Sequence, residues 1–326
     1  MEKFYAFIPS LRLDNEGKNR EINDKRRYIF KILLKQLIEN NIVPVVCAQN
    51  YQDEDYLFPD KVIYFNEPKI SVNYARNKLF EKWMSLKDSS DVAFFMDDDH
   101  IFDEVFLQRI DLQEYFKFIE SHADKIGMFN FTTNGGDRFT TGLRKNNPWI
   151  KKNELVLREN RTGKFSAESY FLSKKWYKDV DFNYEYAGSV FGQEYTILET
   201  LRNKIPIYTI VTPVTDQPYK INSVLRKSYK ESGTPFEERF VSNPKIVEYL
   251  KMIKAEKLVE EIDYDNFSYH PPTWMKLMKN YIAVQFPEPT EEVFVFNIDI
   301  PYHEDMTKNC SKYNRKYSNI KCKKLF

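Results

Sequence analysis

The chain has 326 residues, 42% hydrophobic and 30% charged, with a net charge of +1, a balance that supports a packed core and argues against a disordered chain. Three scattered cysteines, Cys47, Cys310 and Cys322, contain no CxxC pair, which argues against a disulfide framework or a structural zinc site and for a reducing compartment. No run reaches the roughly 18 apolar residues that a membrane helix needs, and the opening MEKFYAFIPS is too short an apolar run for a signal peptide. A cytoplasmic protein with no membrane partner is expected.

In chain order, FYAFIP at 4–9 reads as a short buried strand stopped by proline. Ile29, Ile32, Leu33, Leu37 and Ile38 recur at helical spacing within 21–40, and that helix should end near Asn40-Asn41. IVPVVCA at 42–48 and KVIYF at 61–65 read as strands, 71–86 as a helix, and VAFFM at 92–96 as a fully apolar strand running straight into Asp97. Helix is predicted over 112–122, strand over 126–132, a turn at 134–137 and strand over 165–172. Glu194 to Asn203 reads as an amphipathic helix, and 205–211 as a final sheet strand. A loop is predicted over 213–235 and a helix over 244–262. From Asp263 on, prolines and aromatics predict a small accessory domain or a segment wrapped on the first.

Alternation of strands and helices over the first 100 residues predicts an α/β fold with a parallel sheet. Ligands of such sheets bind beyond the carboxyl ends of the strands. Pro9-Ser10, Gln49-Asn50, Asn66-Glu67 and Asp97 to Asp99 all fall at such ends.

The sharpest chemical signal is FFMDDDHIF at 94–102. Three adjacent acids repel one another, and a hard divalent cation bridging to a diphosphate would relieve that repulsion. If the strand geometry persists, Asp97 and Asp99 point to the same side, suited to a ribose contact and a metal ligand. A solvated acidic loop is the plain alternative.

Four pieces in order resemble the GT-A superfamily, its inverting family 2-like glycosyltransferases in particular. They are Ile8-Pro9-Ser10 after the first strand, Asn73-Tyr74-Ala75-Arg76-Asn77 on a helix, Asp97-Asp98-Asp99, and Phe191-Gly192-Gln193-Glu194 opening a helix. The resemblance implies a GT-A (Rossmann-like) α/β fold, with a mixed, mostly parallel central sheet flanked by helices and a C-terminal accessory segment. It implies a catalytic domain over 1–216, followed by an accessory or acceptor-side segment over 217–307, and charge placement marks off a basic tail over 308–326. Donor contacts are implied for Pro9, Ser10, Arg12, Asn73, Arg76, Asn77, Asp97 and Asp98. Metal ligation by Mn²⁺ or Mg²⁺ is implied at Asp97, Asp99 and Asp216, with His270 and His303 as rivals to Asp216. Glu194 is implied as the base that takes the acceptor proton. The Glu-Asp pair usual at that point is Gln193-Glu194 here, so Glu194 is the one acid in the piece. Glu168 and Gly135-Gly136-Asp137-Arg138 are further candidates for acceptor and sugar contacts.

The implied donor is a nucleotide sugar, a UDP-sugar first. The opening strand, the Asn-Arg-Asn helix and the acid triplet also resemble phage glycosyltransferases that decorate hydroxymethylated pyrimidines in DNA, a likeness covering the first 105 residues. Residues 308–326 carry seven cations and no acid, leaving 42 cations against 48 anions elsewhere. Such a tail suits a polyanionic acceptor such as modified DNA, or is a solvated terminus. The alternatives are a polysaccharide or protein acceptor, a different metal-dependent nucleotide enzyme such as a nucleotidyltransferase, and a non-catalytic binding module.

Overall fold

The structure, a computed structural model, describes residues 3–13, 18–52, 55, 58–68, 72–102, 107, 110–134, 154–161, 165, 169–182, 193–216, 248–249, 252, 271–290 and 292–297. Strands β1 (Lys3–Leu11), β2 (Val43–Gln49), β3 (Ile63–Glu67), β4 (Ser89–Met96), β5 (Ile101–Phe102), β6 (Met128–Asn134), β7 (Glu154–Glu159), β8 (Ser169–Ser173), β9 (Ile207–Asp216) and β10 (Val293–Asn297) join in one sheet. Its order is β10-β7-β9-β6-β8-β4-β1-β2-β3, with β5 pairing β9 off that path. The run β3-β2-β1-β4 and the pair β6-β9 are parallel, and β8, β7, β10 and β5 enter antiparallel. The fold is therefore α/β, with a mixed central sheet flanked by helices.

Strand β1 lies at the middle of the parallel run, so both of its faces are covered and its sequence is apolar throughout. Tyr5 and Phe7 project into one core, and Phe4, Ala6 and Ile8 into the other. Helix α1 (Lys18–Glu39) covers the second face with Ile29, Phe30, Leu33, Leu34 and Leu37. Helix α3 (Leu112–Glu120) joins it there through Tyr115, Phe116 and Ile119, its start capped by Asp111, which accepts from the amides of Gln113 and Glu114. Helix α2 (Val72–Ser85) packs Ala75, Leu79 and Trp83 on the first face. That face also holds the short helix α4 (Lys174–Tyr177), α5 (Gln193–Arg202) and α6 (Pro271–Gln285).

The aromatic richness of the chain goes largely into these two cores. Phe116 meets Phe94 and Phe171 edge-to-face in a cluster with centroids 4.7–5.8 Å apart on the α3 side, and Phe7, Phe95 and Tyr170 stack on the α2 side. Each such buried ring contributes on the order of 1.5–3 kcal/mol over its exposed state.

Helix α1 ends one residue before the predicted Asn40-Asn41 stop. Asn41 takes a left-handed conformation (φ 56°), Ile42 N–H donates to Leu37 O and Asn41 N–H to Ile38 O, the pattern that closes a helix on an Asn or Gly. Helix α5 ends the same way, with Lys204 at φ 55° and Ile205 N–H donating to Thr200 O.

Several expectations shift. The strand predicted over 165–172 is Ser169–Ser173, and the one over 126–132 is Met128–Asn134. The strand predicted to end at residue 211 runs on to Asp216, because β5 and β6 both pair with its distal half. It is not the last strand of the sheet: β10, within the segment expected to be accessory, forms an edge strand on β7. Of the helix predicted over 244–262, the described residues are Glu248, Tyr249 and Met252, all helical. The predicted turn beyond Asn134, the loop over 217–235, Ser71 and the basic tail lie outside the described residues.

Candidate active site

Strand β4 ends at Met96, and side chains on either side of that point alternate between the two faces. Ala93 and Phe95 enter the α2-side core, and Val92, Phe94 and Met96 the α1-side core. The acids that follow continue the alternation for two residues. Asp97 meets α2, where Arg76 Nη2 donates to its Oδ1 at 2.9 Å. Asp98 turns the other way and meets α1, where Arg26 Nη2 donates to its Oδ1. The chain then turns, and Asp99 Oδ1 faces His100 Nδ1 at 2.8 Å.

The three acids therefore differ sharply in setting. Asp98 is fully buried and its two oxygens are divided between two guanidiniums: Arg26 on Oδ1, and Arg12 Nη1 on Oδ2 at 2.9 Å. Ser10 Oγ also donates to Oδ2, and Tyr51 lies against the same serine hydroxyl. Asp97 keeps 24% of its side chain exposed, and Asp99 keeps 10%.

Behind Asp98 the network continues away from the rim. Arg12 Nε donates to Asp55 Oδ1 at 3.1 Å, Arg27 Nε to the same oxygen at 2.8 Å, and Gln52 N–H to Asp55 Oδ2. The Arg12 guanidinium lies 4.6 Å from the centroid of the Tyr51 ring. Burial alone would lower the Arg26 pKa, but the carboxylates of Asp98, Asp99 and Asp97 more than offset it, and the pKa rises above the ordinary arginine value. Arg26 is thus a counter-charge to the whole triplet. Burial also holds the Tyr51 phenol above its usual range, so it acts as a neutral hydrogen-bond donor.

The sequence-predicted residues fall into three groups. Asp97, Asp99 and Arg76 gather at the carboxyl end of β4. Ser10, Arg12 and Asp98 gather just beneath, each at most 1% exposed, with their polar atoms committed to one another. Pro9 and Asn73 are buried, Pro9 in register with Cys47, while Asn77 donates to Glu81 one helical turn on.

Asp216 is carried to the same rim. It pairs in register with Ile101, two residues after Asp99, which sets the two backbones about 5 Å apart. The link is doubled by Ser169, which pairs with Met96 and whose Oγ lies 3.3 Å from Thr215 Oγ1. Glu194 stands in the first turn of α5. The side chains of Asp216 and Glu194, and all of Gly135 to Arg138, Glu168, Phe191, Gly192, His270 and His303, lie outside the described residues. Among the described residues no three His, Cys, Asp or Glu side chains gather as a metal-ligand set.

Arg26, Tyr51, Asp55 and His100 are site residues that sequence reasoning missed. For Arg26 a signal existed: it lies four, seven and eleven residues before Phe30, Leu33 and Leu37, on the apolar stripe of α1. An arginine on a buried stripe requires a buried partner.

No protein-family model matches the chain, and no characterised relative matches it in sequence. Solved structures do share its outline. A protein from Desulfovibrio desulfuricans G20 assigned as a nucleotide-diphospho-sugar transferase is 12% identical, over 78% of this chain and 96% of its own, with a TM-score of 0.39. The inositol-1-phosphate CTP transferase from T. maritima is 14% identical, over 72% and 99%, with a TM-score of 0.41. A UTP-bound UGPase from Acinetobacter baumannii is 10% identical, over 78% and 99%, with a TM-score of 0.43. At these values the likeness is one of outline, and the chemistry has to be argued from the residues themselves.

Proposed function

We propose that the chain is a metal-dependent glycosyltransferase that moves a sugar from a nucleotide-sugar donor to an acceptor hydroxyl with inversion. The observation that carries this reading is the division of the acid triplet. One acid is sunk and neutralised as an anchor, Asp97 stays partly open beside the buried Arg76, and Asp99 is nearly buried beside His100 with a tenth of its side chain still exposed. An acid loop serving only as solvated surface gives no reason to place Arg12, Arg26 and Ser10 around its central member, at the cost of burying charge.

The donor set fits a hard divalent cation. Asp97 and Asp99 offer carboxylate oxygens, and Asp216 is delivered to the same rim by the β5–β9 pairing, an all-oxygen set that suits Mg²⁺ or Mn²⁺ over softer metals. Bound there, the cation would supply charge neutralisation to the diphosphate leaving group. Arg76 reaches the rim from α2 with a planar guanidinium suited to bidentate phosphate binding. Asp98, Ser10 and Arg12 take a supporting part in this reading: they hold the loop rather than touch the donor.

Glu194, at the start of α5, is assigned the base. As the acceptor oxygen bonds to the anomeric carbon, the bond from that carbon to the diphosphate oxygen breaks, and the acceptor proton passes to the Glu194 carboxylate. Glu194→Gln is expected to keep donor binding and lower turnover by roughly 10²-fold or more, and a product retaining the donor's anomeric configuration would rule this base out.

The acceptor reading, a hydroxymethylated base in DNA, is supported by the seven cations of 308–326. The experiment is incubation with a panel of nucleotide sugars and Mn²⁺, with and without hydroxymethylated DNA. Nucleoside diphosphate release stimulated by the DNA supports both donor and acceptor. Release without such stimulation moves the acceptor to a polysaccharide or protein. Pyrophosphate release from a nucleoside triphosphate and a sugar phosphate supports nucleotidyl transfer instead.

A further inference from the structure

Helix α1 carries a second polar residue on its buried face. Gln36 follows Ile29 by seven residues and Leu33 by three, which places it on the apolar stripe, and it is buried there. A primary amide in that setting is costly unless both of its ends are paired. Both are paired, and by a single residue. Gln36 Nε2 donates to Phe102 O at 3.0 Å, and Phe102 N–H donates to Gln36 Oε1 at 3.0 Å.

A side-chain amide has the donor and the acceptor of a peptide group, so Gln36 stands where a further strand would stand beside β5. In an extended strand the N–H and C=O of one residue face one edge, and those of the next residue face the other. The Phe102 groups face α1, so those of Ile101 face β9, where Ile101 pairs with Asp216. Strand β5 is thereby held from both edges. The Phe102 ring packs on Phe94 with centroids 5.4 Å apart, which fixes how deep the ring sits. The two amide bonds are directional and fix where the backbone lies along β9. The same helix holds the chain from Asp98 to Phe102 at both ends, through Arg26 on Asp98 and Gln36 on Phe102, with Asp99 between them.

We propose that Gln36 is a positioning residue: by pinning Phe102 from the edge opposite β9, it sets where Asp216 stands relative to Asp99. The consequence for a bound cation rests on the metal-dependent reading above, but the pinning of β5 does not.

The experiment compares Gln36→Met with Ser173→Ala in the full chain. Methionine keeps the length of the glutamine and removes both bonds. Ser173→Ala removes another buried bond to a backbone carbonyl, Ser173 Oγ to Ala123 O at 2.8 Å, at the end of β8 that pairs with Val92, away from the acids. Amide hydrogen exchange is read at Ile101, and Mn²⁺ affinity in the presence of UDP is read by electron paramagnetic resonance. Gln36→Met is expected to speed Ile101 exchange by about tenfold or more and to weaken UDP-dependent Mn²⁺ binding by about tenfold. Ser173→Ala should leave both readouts within about twofold of the wild type, whatever it does to the unfolding midpoint. Wild-type exchange at Ile101 or wild-type Mn²⁺ affinity in Gln36→Met, or an equal loss in both variants, would overturn the proposal. Should Gln36→Met not fold, Gln36→Asn, whose amide falls one methylene short of Phe102, is read against the same limits. If the wild type binds no Mn²⁺ with UDP, the metal-dependent reading falls, and Ile101 exchange alone decides whether Gln36 holds β5.

Discussion

Asp98 is fully buried at the end of β4. Its two oxygens are taken by two different guanidiniums, so an amide cannot replace it: one of its two ends would present NH₂ to an arginine. Asp98→Asn is expected to cost about 3–5 kcal/mol of stability, the scale for leaving a buried charge unpaired, as read by urea unfolding. Asp97→Asn keeps an oxygen for Arg76 and lies partly in solvent, but Arg76 itself is buried, so it should cost about 1.5–3 kcal/mol, the scale of a hydrogen bond to a charged group, less than Asp98→Asn, while abolishing transfer. Equal stability losses would contradict the division of the triplet. Cys47 is the other residue whose surroundings dictate its chemistry. Burial pushes its thiol up to about 12, so the reactive thiolate is on the order of 10⁻⁴ of the population at pH 8. Native protein treated with iodoacetamide at that pH should leave Cys47 unlabelled in peptide mapping, and unfolding in urea should expose it to labelling. The thiolate fraction grows as pH rises, so labelling of the native form at neutral pH would show that the site opens.

Elements with strong periodicity were readable from the sequence, and those defined by their neighbours were not. The apolar runs of β1, β2 and β4 and the apolar stripe of α1 carry their own signal, and the stop at Asn41 is written in a residue that tolerates positive φ. Strand β5 is two residues long and exists because Asp216 and Thr215 pair with it; nothing local marks it. β7 and β10 form an antiparallel pair whose partners lie more than 130 residues apart, and β10 sits among prolines and aromatics that suggest an accessory segment. The candidate site was legible in the same uneven way. Asp97, Asp99 and Arg76 lie at the carboxyl end of β4, and the backbone of Asp216 pairs two residues beyond Asp99, because strand ends in an α/β sheet share a rim. The neutralising set, Arg26, Tyr51 and Asp55, comes from elements whose only connection to the triplet is tertiary. At the end of α5, Lys204 holds a left-handed conformation that favours glycine. Lys204→Gly is expected to raise stability by about 0.5–1 kcal/mol, visible as a higher urea midpoint with unchanged slope, whereas a lower midpoint would mean that the lysine side chain holds the turn.

At the scale of the whole molecule, the sheet brings three chain segments separated by more than 80 residues to one rim: β1 with Ser10 and Arg12, β4 with the acid triplet, and β9 with Asp216. Ser10 and Arg12 lock the first two together through Asp98, whose other oxygen is held by Arg26 of α1, and β5 locks the last two through its pairing with β9. Electron paramagnetic resonance of Mn²⁺, titrated with protein in the presence of UDP, measures what that rim holds without requiring the acceptor to be known. The wild type is expected to bind Mn²⁺ in a UDP-dependent way, and Asp97→Asn and Asp99→Asn are each expected to weaken that binding by about tenfold or more while remaining folded. UDP-dependent Mn²⁺ binding that is unchanged in both variants, or no binding by the folded wild type, would contradict the metal-dependent reading.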